Sequence, residues 1–189
     1  MSTRAQSLSV ADVGALDEKG FVGHFAGVYE HSPWVARGAW RRRPFADFEA
    51  LAGAFETVVD EAPEDARLGL VRAHPELGGR EARKGTLTEE SAAEQVGAGL
   101  DRLTAEQLRR LEQVNRAYAE RFRFPLVISV RGRDPNSILD EGEARLRNSA
   151  EQELNRAIAQ ITRIARLRLH DLVADDDGTE TSRPQPRGK

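Results

Sequence analysis

Apolar side chains in this chain recur mostly three and four residues apart, the spacing of helices that bury one stripe each. Phe21, Phe25, Val28 and Tyr29 make one such stripe, and Asp17 stands before it as an N-cap. Ser32-Pro33 reads as an N-cap followed by proline at the first helical position, opening a short helix that turns Trp34 and Val35 inward. Pro44 ends that piece. Phe45, Phe48, Leu51, Ala52, Phe55, Val58 and Val59 then form a full helical face. Pro63 opens another helix, with Glu64 and Asp65 where the dipole favours anions and Leu68 and Val71 as its core residues. His74 precedes Pro75, which disfavours helical backbone at His74 and places it at a helix-to-loop junction.

Gly78 to Thr86 reads as a loop. Thr88 suits the cap of a helix from Glu89 to about Leu100, on which Ser91, Glu94 and Gln95 share one face. Thr104-Ala105-Glu106-Gln107 is a capping box, and Leu108, Leu111, Asn115, Tyr118 and Phe122 mark the inner face of the helix that follows. Phe124 to Val130 has strand-like composition but no second strand to pair with, so a buried extended segment or a short helical turn after Pro125 is expected. Ser137 suits the cap of a helix to about Asn148. The last helix spans about Glu151 to Val173, with Leu154, Ile158, Ile161, Ala165 and Leu172 within roughly 40° of one line. Arg168 lies inside that stripe, while Arg163 and Arg166 point away.

The pattern implies an all-α, single-domain helical bundle of about seven to nine helices with one short extended segment, over residues 8–173. Residues 174–189, acidic and then rich in Pro and Arg, read as a disordered tail, and Met1 to Leu8 as mobile. No apolar run approaches the roughly 18 residues of a membrane span, and Met1 to Ser9 has no signal-peptide core. With no cysteine, disulfides, thiolate metal sites and a cysteine nucleophile are excluded, and a cytoplasmic location is expected. The net charge of −3 argues against nucleic acid as a partner, and Arg41-Arg42-Arg43 reads as a solvated helix end.

Candidate chemistry concentrates between His74 and Gln95, where an imidazole, a hydroxyl, a carboxylate and an amide stand among glycines and a proline. His74 suits proton transfer, though a helix end also carries histidines without function. Glu94 and Gln95 either bind a polar ligand or form a solvated face. An arginine on an apolar stripe must snorkel, pair with a buried acid or face a pocket that takes an anion. The four histidines show no metal-ligand spacing, and no phosphate-binding or nucleophile-elbow motif is present.

In these residues the chain resembles the family of 2-oxo-4-hydroxy-4-carboxy-5-ureidoimidazoline (OHCU) decarboxylases. The resemblance rests on Tyr29-Glu30-His31-Ser32-Pro33-Trp34-Val35-Ala36, His74-Pro75-Glu76-Leu77 and Ser91-Ala92-Ala93-Glu94-Gln95 with Gly99-Leu100. It continues through Asn115 to Tyr118, Arg121-Phe122-Arg123-Phe124-Pro125, Arg145-Leu146-Arg147-Asn148 and Ile164 to Leu172, in order. It implies an all-helical homodimer that converts OHCU to (S)-allantoin and CO2 without metal or organic cofactor, its partner being the small ureidoimidazoline substrate, with no nucleic acid and no membrane. His74 and Glu94 would be catalytic. Pro75, Ser91, Ala92, Ala93, Glu94, Gln95, Leu126, Val127, Ile128, Ser129, Val130 and Arg168 would bind substrate. Leu126 departs from a frequent aromatic, Gly78 from a frequent alanine and Arg37 from a frequent acid. Two rival readings are a lyase or hydrolase of a related ureido compound and a non-catalytic helical interaction module.

Overall fold

Short polar side chains start most of the helices. In the computed structural model, which describes residues 7–79, 82 and 84–174, Ser9 and Asp12 form a capping box on α1 (Val10–Ala15) and Asp17 accepts from Gly20 N at the start of α2 (Glu18–Phe25). Pro33 opens α3 (Pro33–Trp40), and Asp47 caps α4 (Phe48–Asp60). After α5 (Glu64–Ala73), Thr88 caps α6 (Glu89–Gly97). Thr104 and Gln107 box the start of α7 (Ala105–Phe122), Asp134 caps α8 (Pro135–Arg145), and Ser149 with Gln152 boxes α9 (Ala150–Leu172). Such a cap is worth about 1 kcal/mol, since it satisfies an amide that the helix leaves free.

Nine α-helices thus form among the described residues, with one isolated parallel bridge, Leu8 to Val173, tying the first described residues to the end of α9. Helix α9 packs against α4 and α5, α3 against α2 and α4, and α7 against α8. The aromatic part of the core sits under α2 and α4, where Phe21, Phe25 and Phe55 are fully buried with ring centroids 4.7 to 5.9 Å apart. No helix of the described residues is long and apolar enough to cross a membrane.

The segment from Phe124 to Val130 is extended and buried, with neither helix nor strand pairing. Side chains satisfy its backbone instead. Arg145 NH1 donates to Val127 O at 2.6 Å, and Ser129 N donates to Gln160 Oε1 at 2.8 Å. Arg145 also pairs with Glu153, which is fully buried and accepts from Tyr118 and Asn148. Gly142 lets α8 reach this segment, since a Cβ there would lie 2.9 Å from Leu126 Cδ2.

Several expectations from the sequence are corrected. Helix α1 has a local capping box but too short an apolar pattern to stand out. Helix α2 ends at Phe25, so Val28 and Tyr29 are buried from the turns beyond it. Helix α6 ends at Gly97, ahead of Gly99, which turns at φ +75°. The cap of α8 is Asp134, with Pro135 at the first helical position and Ser137 inside the first turn, and the helix stops at Arg145. Leu108 stays 37% exposed, because it lies one turn before α7 meets the core. The tail from Asp175 and the N-terminal residues to Gln6 lie outside the described residues.

The Arg145 network gives a first prediction. Arg145→Ala would leave the Glu153 carboxylate buried without its cation and free Val127 O, so a loss of about 3–5 kcal/mol is expected in urea unfolding. A loss below about 1 kcal/mol would show that Tyr118 and Asn148 suffice to hold the carboxylate.

Candidate active site

Arg168 lies in the last turns of α9 on the face that meets the core, and only 3% of it is exposed. A guanidinium buried this far needs partners for its donors. Nε and NH2 grip the two carboxylate oxygens of Glu94 at 2.9 Å each, in the two-bond geometry that planar guanidinium favours. NH1 donates to Gly27 O at 3.1 Å, and NH2 also meets Ser91 Oγ at 3.1 Å and Glu30 Oε2 at 3.5 Å. Burial works against the charge on Arg168, but Glu94 and Glu30 outweigh it and raise its pKa.

Glu30 completes the cluster. Its carboxylate is almost fully buried and accepts from Ser91 Oγ and from Thr88 Oγ1 at 2.6 Å. Burial pushes its pKa up, yet these two hydroxyls, with Arg168 and His74, hold it below the usual carboxylate range. In the sequence Glu30 stands out only as part of the Tyr29 to Ala36 motif. The signal available is an acid directly after the apolar Val28 and Tyr29 and two residues before the Ser32-Pro33 helix start.

His74 is the C-cap of α5, with φ −76° and ψ 137°, and its N–H donates to Val71 O at 3.2 Å. The extended backbone is the one that Pro75 demands. The ring is partly covered and feels Glu30, Arg168 and His31. Loss of water lowers its pKa to about 4, against the attraction of Glu30 and with the repulsion of Arg168 and His31. His74 is therefore a neutral imidazole at neutral pH.

A cavity of about 590 Å³ opens beside the cluster. Glu94 and Arg168 line it with Gly27, Ala93, Arg131 and Asp171. Arg131 clasps Asp171 through two bonds of 3.1 and 2.6 Å and comes within 4.0 Å of Glu94. The two arginines differ in what it takes to move them. Breaking a buried pair costs about 3–5 kcal/mol because a charge is left stranded, whereas an exposed pair is worth about 1 kcal/mol or less. Arg168 belongs to the first class. Arg131, 39% exposed and held by a half-exposed Asp171, belongs to the second.

The residues singled out from sequence separate into groups. Ser91, Glu94 and Arg168 are hydrogen-bonded together, and His74 shares their electrostatic field. Ala93 faces the cavity beside Glu94. Gln95 goes elsewhere. Its Oε1 accepts from Gly78 N at 2.9 Å, and with Ala92 it lines a second cavity of about 400 Å³ on the far side of α6. The shared face expected for Ser91, Glu94 and Gln95 is thus split, because Glu94 and Gln95 stand about 100° apart around the helix. Gln95 instead pins the turn after His74, and Asn115 Nδ2 helps by donating to Leu77 O at 2.8 Å. Gly78 makes that turn at φ +56°. Pro75 is buried. Leu126, Val127, Ile128 and Val130 point into the core, and Ser129 Oγ is buried with no hydrogen-bond partner among the described residues. Among those residues no group of three or more His, Asp or Glu could share a metal ion.

The cluster also predicts how stability responds to pH. The unfolded chain would protonate His74 near 6.5, the folded chain only near 4, so folding stability is lost as pH falls through that window. Glu30 acts in the same sense below its ordinary range. Urea midpoints are expected to fall steadily from about pH 6.5 to 4, with a shallower slope in His74→Asn. An equal slope in both proteins would remove His74 as the cause.

A protein from Haloferax volcanii described as 2-oxo-4-hydroxy-4-carboxy-5-ureidoimidazoline decarboxylase is 39% identical over 162 residues, covering 86% of this chain and 94% of that one. A mouse protein of the same description is 37% identical over 166 residues, covering 88% and 93%. A crystal structure of (S)-allantoin synthase superposes with a TM-score of 0.72 at 25% identity over 88% of this chain, which spans about half (54%) of that one. A crystal structure of OHCU decarboxylase in the presence of (S)-allantoin, at 21% identity and TM-score 0.63, shares the fold. Residues 14–170 match the family model described as OHCU decarboxylase, and the chain belongs to the OHCU decarboxylase family.

Proposed function

We propose that this chain removes the carboxylate of OHCU as CO2 and forms (S)-allantoin in urate degradation, with His74 as the proton-transfer residue and Glu94 as the second catalytic residue. The chain is a carboxy-lyase of its family. What supports the residue assignment is the placement of His74 at the junction set by Pro75, within the field of the buried Glu30–Arg168 charges, the same arginine that fixes Glu94 at the wall of a cavity.

The chemistry asks for little more. When CO2 leaves, the bonding pair stays on the ring, delocalised into the adjacent imine and carbonyl. CO2 leaves neutral, so the negative charge stays on the ring, and one proton from solvent neutralises it. A neutral imidazole has one nitrogen that accepts and one that donates, so His74 can take the substrate's hydroxyl proton and return one to the ring carbon on a single face. That one-sided delivery gives the product its hand. Glu94, immobilised by Arg168, orients the substrate hydroxyl or the imidazole. Ala93 and Glu94 stand on the substrate side at the cavity wall, with Ser91, Pro75 and the Leu126–Val130 segment behind them, while Ala92 and Gln95 act from the far side of α6, where Gln95 fixes the turn after His74. Val127 O, Ser129 N and Val130 O already have partners, which leaves Ser129 Oγ and the remaining backbone groups for ring and ureido amides. No metal or organic cofactor enters the reading. It takes the chain as a cytoplasmic homodimer, which sedimentation velocity checks for assembly.

His74→Asn is expected to lower kcat by about 10²–10⁴-fold with an unchanged helical spectrum and little change in urea midpoint at neutral pH. The assay generates OHCU in place from urate and follows the circular dichroism of (S)-allantoin. Formation of optically active product by the variant at the wild-type rate would take His74 out of the mechanism. Because His74 works from the neutral form, kcat/KM of the wild type should be flat through neutral pH and drop only as pH approaches about 4.

A further inference from the structure

The substrate proposed above is an anion, and the cavity that would receive it is rich in acids. Glu89, Glu90, Glu94 and Asp171 all line it, against the guanidinium groups of Arg131 and Arg168 and the ring of His24. A carboxylate entering this space needs a cation with donors to spare. Arg168 has little to offer, because Glu94, Glu30, Ser91 and the Gly27 carbonyl take up its nitrogens in a buried setting. Drawing it toward a ligand would strand two carboxylates.

Arg131 has the opposite character. Its backbone is anchored, since it directly follows the buried Val130 and the Ser129 amide is held by Gln160. Its side chain is 39% exposed, and its clasp on Asp171 presents the two-bond arrangement that a substrate carboxylate would adopt. Asp171 is itself 58% exposed, so water can take it over when it lets go. The 4.0 Å approach to Glu94 keeps Arg131 at the rim of the buried cluster.

We infer that Arg131 receives the substrate's carboxylate, that Asp171 occupies its guanidinium as an exchangeable stand-in, and that Arg168 is a positioning residue that holds Glu94. The assignment rests on the OHCU reading above. It also fits the reaction. The carboxylate loses its charge as CO2 departs, so a buried clamp on it would stabilise the ground state more than the transition state. A guanidinium shared with water orients the group without that penalty.

The full chain is assayed with OHCU generated in place. Arg131→Gln is expected to raise KM about 10- to 100-fold, the loss of a charge-assisted pair, with the larger part of the effect in KM and a smaller one in kcat. Asp171→Asn is expected to lower KM by about 2- to 5-fold, since the competing carboxylate is gone. Arg168→Lys is expected to act mainly on kcat. Calorimetry gives a readout free of turnover. Arg131→Gln should weaken binding of hydantoin-5-acetate, a ring ureide with a carboxylate, and leave (S)-allantoin, which has none, as in wild type. Wild-type KM in Arg131→Gln, or equal weakening of both ligands, would overturn the assignment. Absence of OHCU turnover in the wild type would instead refute the reaction, and the two calorimetric titrations would still decide the role of Arg131.

Discussion

A guanidinium buried to 3% exposure cannot be left with unpaired donors, and that requirement organises the candidate site. Arg168 brings together Gly27 and Glu30 from the stretch after α2, Ser91 and Glu94 from α6, and its own helix α9. Each partner is in turn fixed. Glu94 is held by two bonds from one planar group, and Ser91 stands between Arg168 and Glu30. Thr88 both caps α6 and donates to Glu30, so the start of that helix is tied to the same cluster. The cluster is thus a structural joint between three parts of the chain, and the same joint sets the electrostatics of the cavity wall.

His74 gains its character from that joint without belonging to it. Its backbone is set locally by Pro75, and its turn is pinned by Gln95 and Asn115. Its proton affinity is set by what lies nearby. Loss of water wins over the attraction of Glu30, and the ring stays neutral. A neutral imidazole near the firmly held carboxylate of Glu30 suits a reaction in which a proton must be moved to one face of a ring and in which no strong nucleophile is required.

The extended segment from Phe124 to Val130 shows the same principle at a second place. With no neighbouring strand, its amides and carbonyls turn to side chains, and Arg145 and Gln160 supply them. Arg145 does for this segment what Arg168 does for the site, using Glu153 and Tyr118 as its counterweights. The segment then delivers Arg131 to the cavity from an anchored backbone. Two buried arginines thus position two different stretches of chain, while Arg131, partly exposed at the cavity, is left with an exchangeable partner.

Much of this was legible in the sequence, for a physical reason. Helix starts are encoded within about four residues, by capping side chains and by proline, so Asp17, Thr88, Thr104 and Pro33 could be read directly. Helical faces follow from a fixed angle per residue, which is how Arg168 could be seen inside an apolar stripe and His74 at a junction. Where two local signals compete, as with Asp134 and Ser137, the sequence does not rank them, and the backbone puts the cap at Asp134. What the sequence by itself determined is the all-helical architecture, the placement of His74 and the anomaly of Arg168. What only the tertiary structure decided is who answers that anomaly. Glu30 lies 138 residues from Arg168 in the chain, and no local pattern carries the charge balance between them. Glu94 and Gln95 are neighbours in sequence, yet one faces Arg168 and the other the turn after His74, because packing assigns the two sides of α6 to different neighbours. Arg131 looks like any surface arginine until α9 brings Asp171 and α6 brings Glu94 to it. Conformation is set largely between near neighbours along the chain, but compensation of buried charge is set by whatever the fold brings within a few ångströms.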